Sequence, residues 1–147
     1  RGVFSTYVRR GSLQMIVRGP QGREEPIVRG ADSHPAVDLL LDAVSGRVCI
    51  HGHACTSKDL PSQKATVELL AFLLDHIGEA ILNDQLPASL YTKYRNELQG
   101  KIISPLNAVL KRRTKKELGL KIHGKLTSFY VTWNPGKLKV GILRPLR

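Results

Sequence analysis

The sequence predicts an α+β chain with a small N-terminal antiparallel sheet, three helices and a C-terminal β-hairpin. Three observations carry that expectation. Short apolar runs separated by turn residues occupy residues 1 to about 58. Apolar residues at helical spacing begin after Ser62. Strand-like alternation returns in "LKIHGKLTSFYVTW", Leu120 to Trp133. The chain has 147 residues, 41% of them apolar, which is enough for a real core and too many for a disordered segment.

Taken in order, "LQMIVRG" and "EPIVRG" flank the turn-rich "PQGRE" and predict a hairpin. "GADSHP" is the expected boundary before a second hairpin. There Leu39 to Leu41 and Val48 to Ile50 bracket the turn signal Ser45-Gly46, and His51-Gly52-His53 predicts a further turn. Ser62 is the expected N-cap of the first helix. Leu69, Leu70, Leu73, Leu74 and Ile77 form its wide apolar face, and Gly78 stops it. "EAIL" can pair as a short strand, and Asn83 offers a second N-cap. The middle helix starts either at Asn83, with Pro87 near its beginning, or afresh at Pro87, because proline is tolerated only in a first turn.

The third helix has Ser104 as its expected N-cap, Pro105 at the first helical position and Gly119 as its end. Leu106, Val109 and Leu110 point inward, with Arg113 and Glu117 on the same side. Ala108, Lys111, Arg112 and Lys115 project from the other side. The hairpin that follows turns at "HGK", with Lys121 and Lys125 near its tip. "NPGKLKVGILRPLR" reads as a basic tail.

The net charge is +11, and it is unevenly spread. Residues 93–147 hold 14 Lys and Arg against two acids, whereas residues 1–92 hold 9 against 10. All the excess positive charge therefore lies in the last third, as in a polyanion-binding surface, with nucleic acid the first partner class and an anionic membrane the second. No apolar run approaches the ~20 residues of a membrane span, and residues 1 to 30 lack the apolar core of a signal peptide. The chain opens at Arg1 rather than Met and is expected to be a piece of a longer protein. Two cysteines make no disulfide framework, so a reducing cytoplasm is the expected compartment.

A sheet, three helices and a basic hairpin follow the order of a winged helix-turn-helix. "LLLDAVSGRVCIHGHACTSKDLPSQKATVELLAFLLDHIGEAILNDQL" resembles the entry to the DNA-binding effector domain of OmpR/PhoB-type response regulators. The residues that carry the likeness are Leu39 to Asp42, Val48 to Ile50, Leu60, Leu69-Leu70, His76-Ile77-Gly78 and Asn83. Leu106, Val109-Leu110, Lys111-Arg112-Arg113 and Leu118-Gly119 are similar to the family's recognition helix, and Tyr130 sits like its late wing tyrosine. The resemblance covers about residues 37 to 133. Residues 1–36 are then an N-terminal β extension or the end of an upstream module, 37–133 the winged-helix domain and 134–147 the tail.

The resemblance implies a transcriptional regulator that puts its third helix in the major groove of double-stranded DNA. It also implies a homodimer on repeated half-sites, contact with RNA polymerase through residues 92 to 101, and a place on the bacterial nucleoid. Helix geometry makes Asn107, Ala108, Lys111 and Arg112 the candidates for base edges. Arg113, Lys115 and Lys116 are the phosphate candidates. Lys121, His123 and Lys125 of the wing would meet the backbone or minor groove. The competing reading is a protein-interaction or RNA-binding module whose basic face is merely solvated.

Other chemistries have weaker support. Cys49, His51, His53 and Cys55 alternate, yet ligands so close in sequence do not readily surround one tetrahedral zinc, so a buried Cys49 and an exposed histidine loop are expected, with no metal and no cofactor. Cys55 beside His53 is too generic a pair to mark a nucleophile, and there is no Walker A loop, so no enzyme is expected. Tyr91, Tyr94, Phe129, Tyr130 and Trp133 could stack bases but are expected in the core. Phe129, Val131 and Trp133 share one strand face, and Tyr130 points the other way.

Overall fold

The computed structural model describes residues 13–18, 24–25, 37–93, 97–125 and 128–145, and at 13–18, 24–25, 93, 125 and 145 it describes the backbone. The chain is mixed α+β. Its strands are β1 (Leu13–Arg18), β2 (Glu24–Glu25), β3 (Leu39–Asp42), β4 (Arg47–Ile50), β5 (His53–Ala54), β6 (Ile81–Leu82), β7 (Leu120–Lys125), β8 (Ser128–Trp133) and β9 (Val140–Pro145). Its α-helices are α1 (Gln63–Leu74), α2 (Ala88–Lys93) and α3 (Ser104–Thr114).

Two sheets organise these elements: a six-stranded sheet in the order β2-β1-β9-β3-β4-β5, and a three-stranded one in the order β6-β8-β7. The expected hairpin of β3 and β4 forms, and β1 runs antiparallel to β2, of which Glu25 alone belongs to the expected second strand. Residues 26–36, with most of "EPIVRG" and the expected boundary "GADSHP", lie outside the described residues, as does Tyr94. His51 and Gly52 both take positive φ and join β4 to β5 as a tight two-residue turn. The region read as a basic tail supplies β9, a central strand antiparallel to β1 and parallel to β3. Leu138, Val140, Ile142 and Leu143 are buried there, so the basic residues around them, Lys137, Lys139 and Arg144, obscured a core strand.

Helix α1 buries Leu69, Leu70, Leu73 and Leu74 as its spacing predicts. Ser62 precedes it but makes no side-chain cap. Its carbonyl accepts from the N–H and the hydroxyl of Thr66 instead. The helix ends at Leu74, and Gly78, at positive φ, donates its N–H to the Trp133 carbonyl and so ties this turn to β8. Asn83 opens only a 3₁₀ turn, and α2 starts afresh after Pro87, whose carbonyl accepts from Leu90 and Tyr91.

Helix α3 departs from the expected start. Ser104 is itself helical, and a π-helical turn, Leu98–Ile103, runs directly into it. Its N–H reaches back five residues to the Gln99 carbonyl, and its hydroxyl accepts from the Gln99 side chain rather than capping the backbone. Pro105 has no N–H for the Lys101 carbonyl, and its ring would crowd that oxygen, so a widened turn here has a steric reason. The helix also stops early, at Thr114, where Lys115 takes a left-handed conformation. Gly119 is needed for another purpose. A Cβ there would overlap the Asn134 carbonyl oxygen, at the point where the Asn134 N–H donates to the Gly119 carbonyl.

Candidate nucleic-acid interface

The anchoring of α3 follows the sequence pattern. Leu106, Val109 and Leu110 are buried, together with Ile102 and Ile103 of the preceding turn. Trp133 is fully buried and donates its indole N–H to the Leu118 carbonyl at 2.8 Å, which fixes the hairpin against the connection leaving α3. Ala108, Lys111, Arg112 and Lys115 are exposed on the opposite face. Neither Lys111 nor Lys115 has an acid within ion-pair distance among the described residues.

Several of the expected contact residues are already engaged within the chain. The Asn107 side-chain oxygen accepts the Leu118 N–H at 3.3 Å, so this residue braces the helix end. Arg112 and Arg113 converge on one carboxylate, reaching Asp59 Oδ1 at 3.0 Å and Oδ2 at 3.1 Å. Arg112 remains 61% exposed, whereas Arg113 is 27% exposed, so only Arg112 is well placed to exchange this partner for a phosphate. The Thr56 N–H, with the Arg113 charge, the Thr56 hydroxyl and Arg112, holds the Asp59 carboxyl below the usual range against the opposing desolvation. Lys116 is drawn away from α3 altogether: its ammonium donates to Asp38 Oδ2 at 2.8 Å and to the Lys137 carbonyl.

Sequence reading missed these two aspartates as partners. Asp59 lies more than fifty residues from Arg112, and Asp38 lies 78 from Lys116, so no local pattern pairs them. Asp38 also accepts the Lys139 N–H at 2.9 Å and meets His51 Nε2 at 2.9 Å.

The hairpin places Lys121, His123 and Lys125 on one face of β7. Lys121 is exposed, and the side chain of Lys125 lies outside the described residues. His123 is half-buried, with Nε2 2.9 Å from the Thr132 hydroxyl and its ring stacked on Tyr130. The expected turn at "HGK" is instead part of β7, because Gly124 and Lys125 pair with Phe129 and Ser128. Gly124, at φ +104, lets the strands approach, since a Cβ there would sit 2.7 Å from the Ser128 carbonyl oxygen. The connecting residues 126–127 lie outside the described residues.

Cys49 and Cys55 are free and buried, while His51 and His53 are exposed. Among the described residues no group of three or more His, Cys, Asp or Glu is placed to hold a metal ion. Burial pushes the Cys55 thiol up to about 11 despite the nearby Arg113, so it stays protonated near neutrality. No helix among the described residues is long and apolar enough to cross a membrane. Compared with known proteins, the chain matches no family model, no curated protein and no solved structure.

Proposed function

We propose that this chain is a winged-helix DNA-binding module acting in transcription regulation, with α3 in the major groove. The observation that carries the proposal is the division of α3 into a buried side, Leu106, Val109 and Leu110, and an exposed basic side, Lys111, Arg112 and Lys115. The order α1, β6, α2, α3, β7, β8, with β6 paired to β8, supports a helix-turn-helix followed by a wing. The uneven charge supports a polyanionic partner.

The roles within the site shift from those the sequence implied. Ala108 and Lys111 form the surface offered to base edges, and Arg112 exchanges Asp59 for a phosphate. Lys115 and Lys121 meet phosphates, and Asn107 positions the helix end. Arg113 and Lys116 stay with their aspartates. The likeness to OmpR/PhoB-type effector domains supplies the regulatory content of the proposal: repeated half-sites, a homodimer on DNA, contact with RNA polymerase and a nucleoid location.

The double substitution Lys111→Ala, Arg112→Ala tests the reading. Titration of duplex DNA at several salt concentrations should show affinity down by about tenfold or more, with the slope of log K against log salt shallower by about 1 for each phosphate no longer neutralised. Affinity and slope unchanged from the parent chain would overturn the proposal.

A further inference from the structure

The outer face of the three-stranded sheet carries a second surface, of which the duplex reading uses only Lys121. The register aligns Leu82 of β6 with Tyr130 of β8, and Tyr130 with His123 of β7. These three residues therefore form one row across the sheet, on the face opposite Ile81, Phe129, Val131 and Trp133. Two members of the row are large and open to solvent, Leu82 at 52% and Tyr130 at 38%. The Tyr130 and His123 rings are stacked, with centroids 4.6 Å apart and planes 13° from parallel. Each ring covers one face of its partner and leaves the other uncovered by it.

The surroundings favour one kind of occupant. Lys121, paired with Thr132, stands next to the row on the same face, and Ser128 flanks it on the other side. None of the three strands contains an acid. A flat aromatic pair beside a lysine, on strands β7 and β8 that hold no acid and lie in the basic third of the chain, combines the two features that hold unpaired bases. Rings extend the base stack, and cations follow the phosphates. A duplex hides its base faces inside its own stack and cannot use the rings this way. We infer that this sheet face binds single-stranded nucleic acid by stacking bases on the Tyr130–His123 pair, with Leu82 packing against a neighbouring base and Lys121 on the backbone.

The test separates stacking from charge. The full chain is titrated with a fluorescent single-stranded oligothymidylate of about a dozen nucleotides, and with an abasic strand of the same length and charge. The parent chain should prefer the base-bearing strand by at least about fivefold, the lower end expected for one stacked base. Tyr130→Ala should abolish that preference while leaving the abasic affinity unchanged, and Tyr130→Phe should keep it. A thermal melt by circular dichroism checks that each variant is folded. Equal affinity of the parent chain for the two strands would overturn the inference, as would a preference that survives in folded Tyr130→Ala. The Lys111→Ala, Arg112→Ala variant separates this inference from the duplex reading: it should weaken duplex binding and leave the ratio between the two single strands unchanged.

Discussion

The two sheets solve the burial problem differently, and the difference separates scaffold from surface. In the six-stranded sheet the paired strands β3 and β9 are buried at nearly every described position. Their inner side chains, such as Leu39, Leu41, Val140 and Ile142, join the main core, and Leu40 packs with Cys49 and Val37 in a smaller cluster. In the three-stranded sheet β8 alternates, with Phe129, Val131 and Trp133 inside and Ser128, Tyr130 and Thr132 outside. A strand buried on both faces can serve only stability. A strand with one wet face keeps half its side chains for another purpose.

The sharpest way to break this contrast is to place the same charge in each sheet. Ile142→Asp would bury an unpaired carboxylate in the central strand β9. Lost apolar burial and desolvation together should cost about 5 kcal/mol or more, comparable to the whole stability of a small domain. Ser128→Asp, on the exposed face of β8, should stay within about 0.5 kcal/mol of the parent. Urea unfolding followed by circular dichroism measures both. A cooperative transition for Ile142→Asp near the parent midpoint would mean that β9 is not a core strand.

A finer division runs along β8, between neighbours. Phe129 is buried and Tyr130 is not, so Phe129→Ala should cost about 3 to 5 kcal/mol and Tyr130→Ala under about 1 kcal/mol. Similar losses in urea unfolding would show that both faces of this sheet carry stability, and would weaken the case for keeping Tyr130 for binding.

Where local pattern determines structure, the sequence was readable. The apolar face of α1, the inward set on α3 and the alternation in β8 follow from periodicities of 3.6 and 2, which depend only on near neighbours. The turns at Ser45-Gly46 and His51-Gly52 were equally local. Strand β9 was not, because Lys137 and Lys139 lie just before it and its partners β1 and β3 lie about a hundred residues earlier. The start of α3 was obscured for a different reason. Ser104-Pro105 is a good cap sequence, and only the apolar Leu98, Ile102 and Ile103, drawn into the core, show that helix precedes it. At the candidate site the sequence identified the basic residues but not which of them remain available. That depends on Asp38 and Asp59, which are brought close only by the fold.

Asp38 gives the smallest test of the comparison, since it joins the scaffold sheet to the end of the α3 segment. Its burial alone would raise the carboxyl's pKa. The Lys116 ammonium, the Lys139 N–H and His51 outweigh that and hold it below the usual range. A carboxylate with a depressed pKa in the folded state adds stability above its unfolded value of 3.8, and loses it as pH falls through the folded value. Asp38→Asn keeps the shape and removes the charge. It should cost about 1 to 2 kcal/mol at pH 7, a charged hydrogen-bond contribution reduced by the partial exposure of Lys116. The gap between variant and parent should stay constant down to about pH 5 and narrow as pH falls below about 4, through the depressed folded value. Urea midpoints of both proteins at neutral and acidic pH give this difference directly. A gap that does not narrow at all as pH falls below 3.8 would mean that Asp38 acts through shape rather than charge, and the link from scaffold to site would then be packing alone.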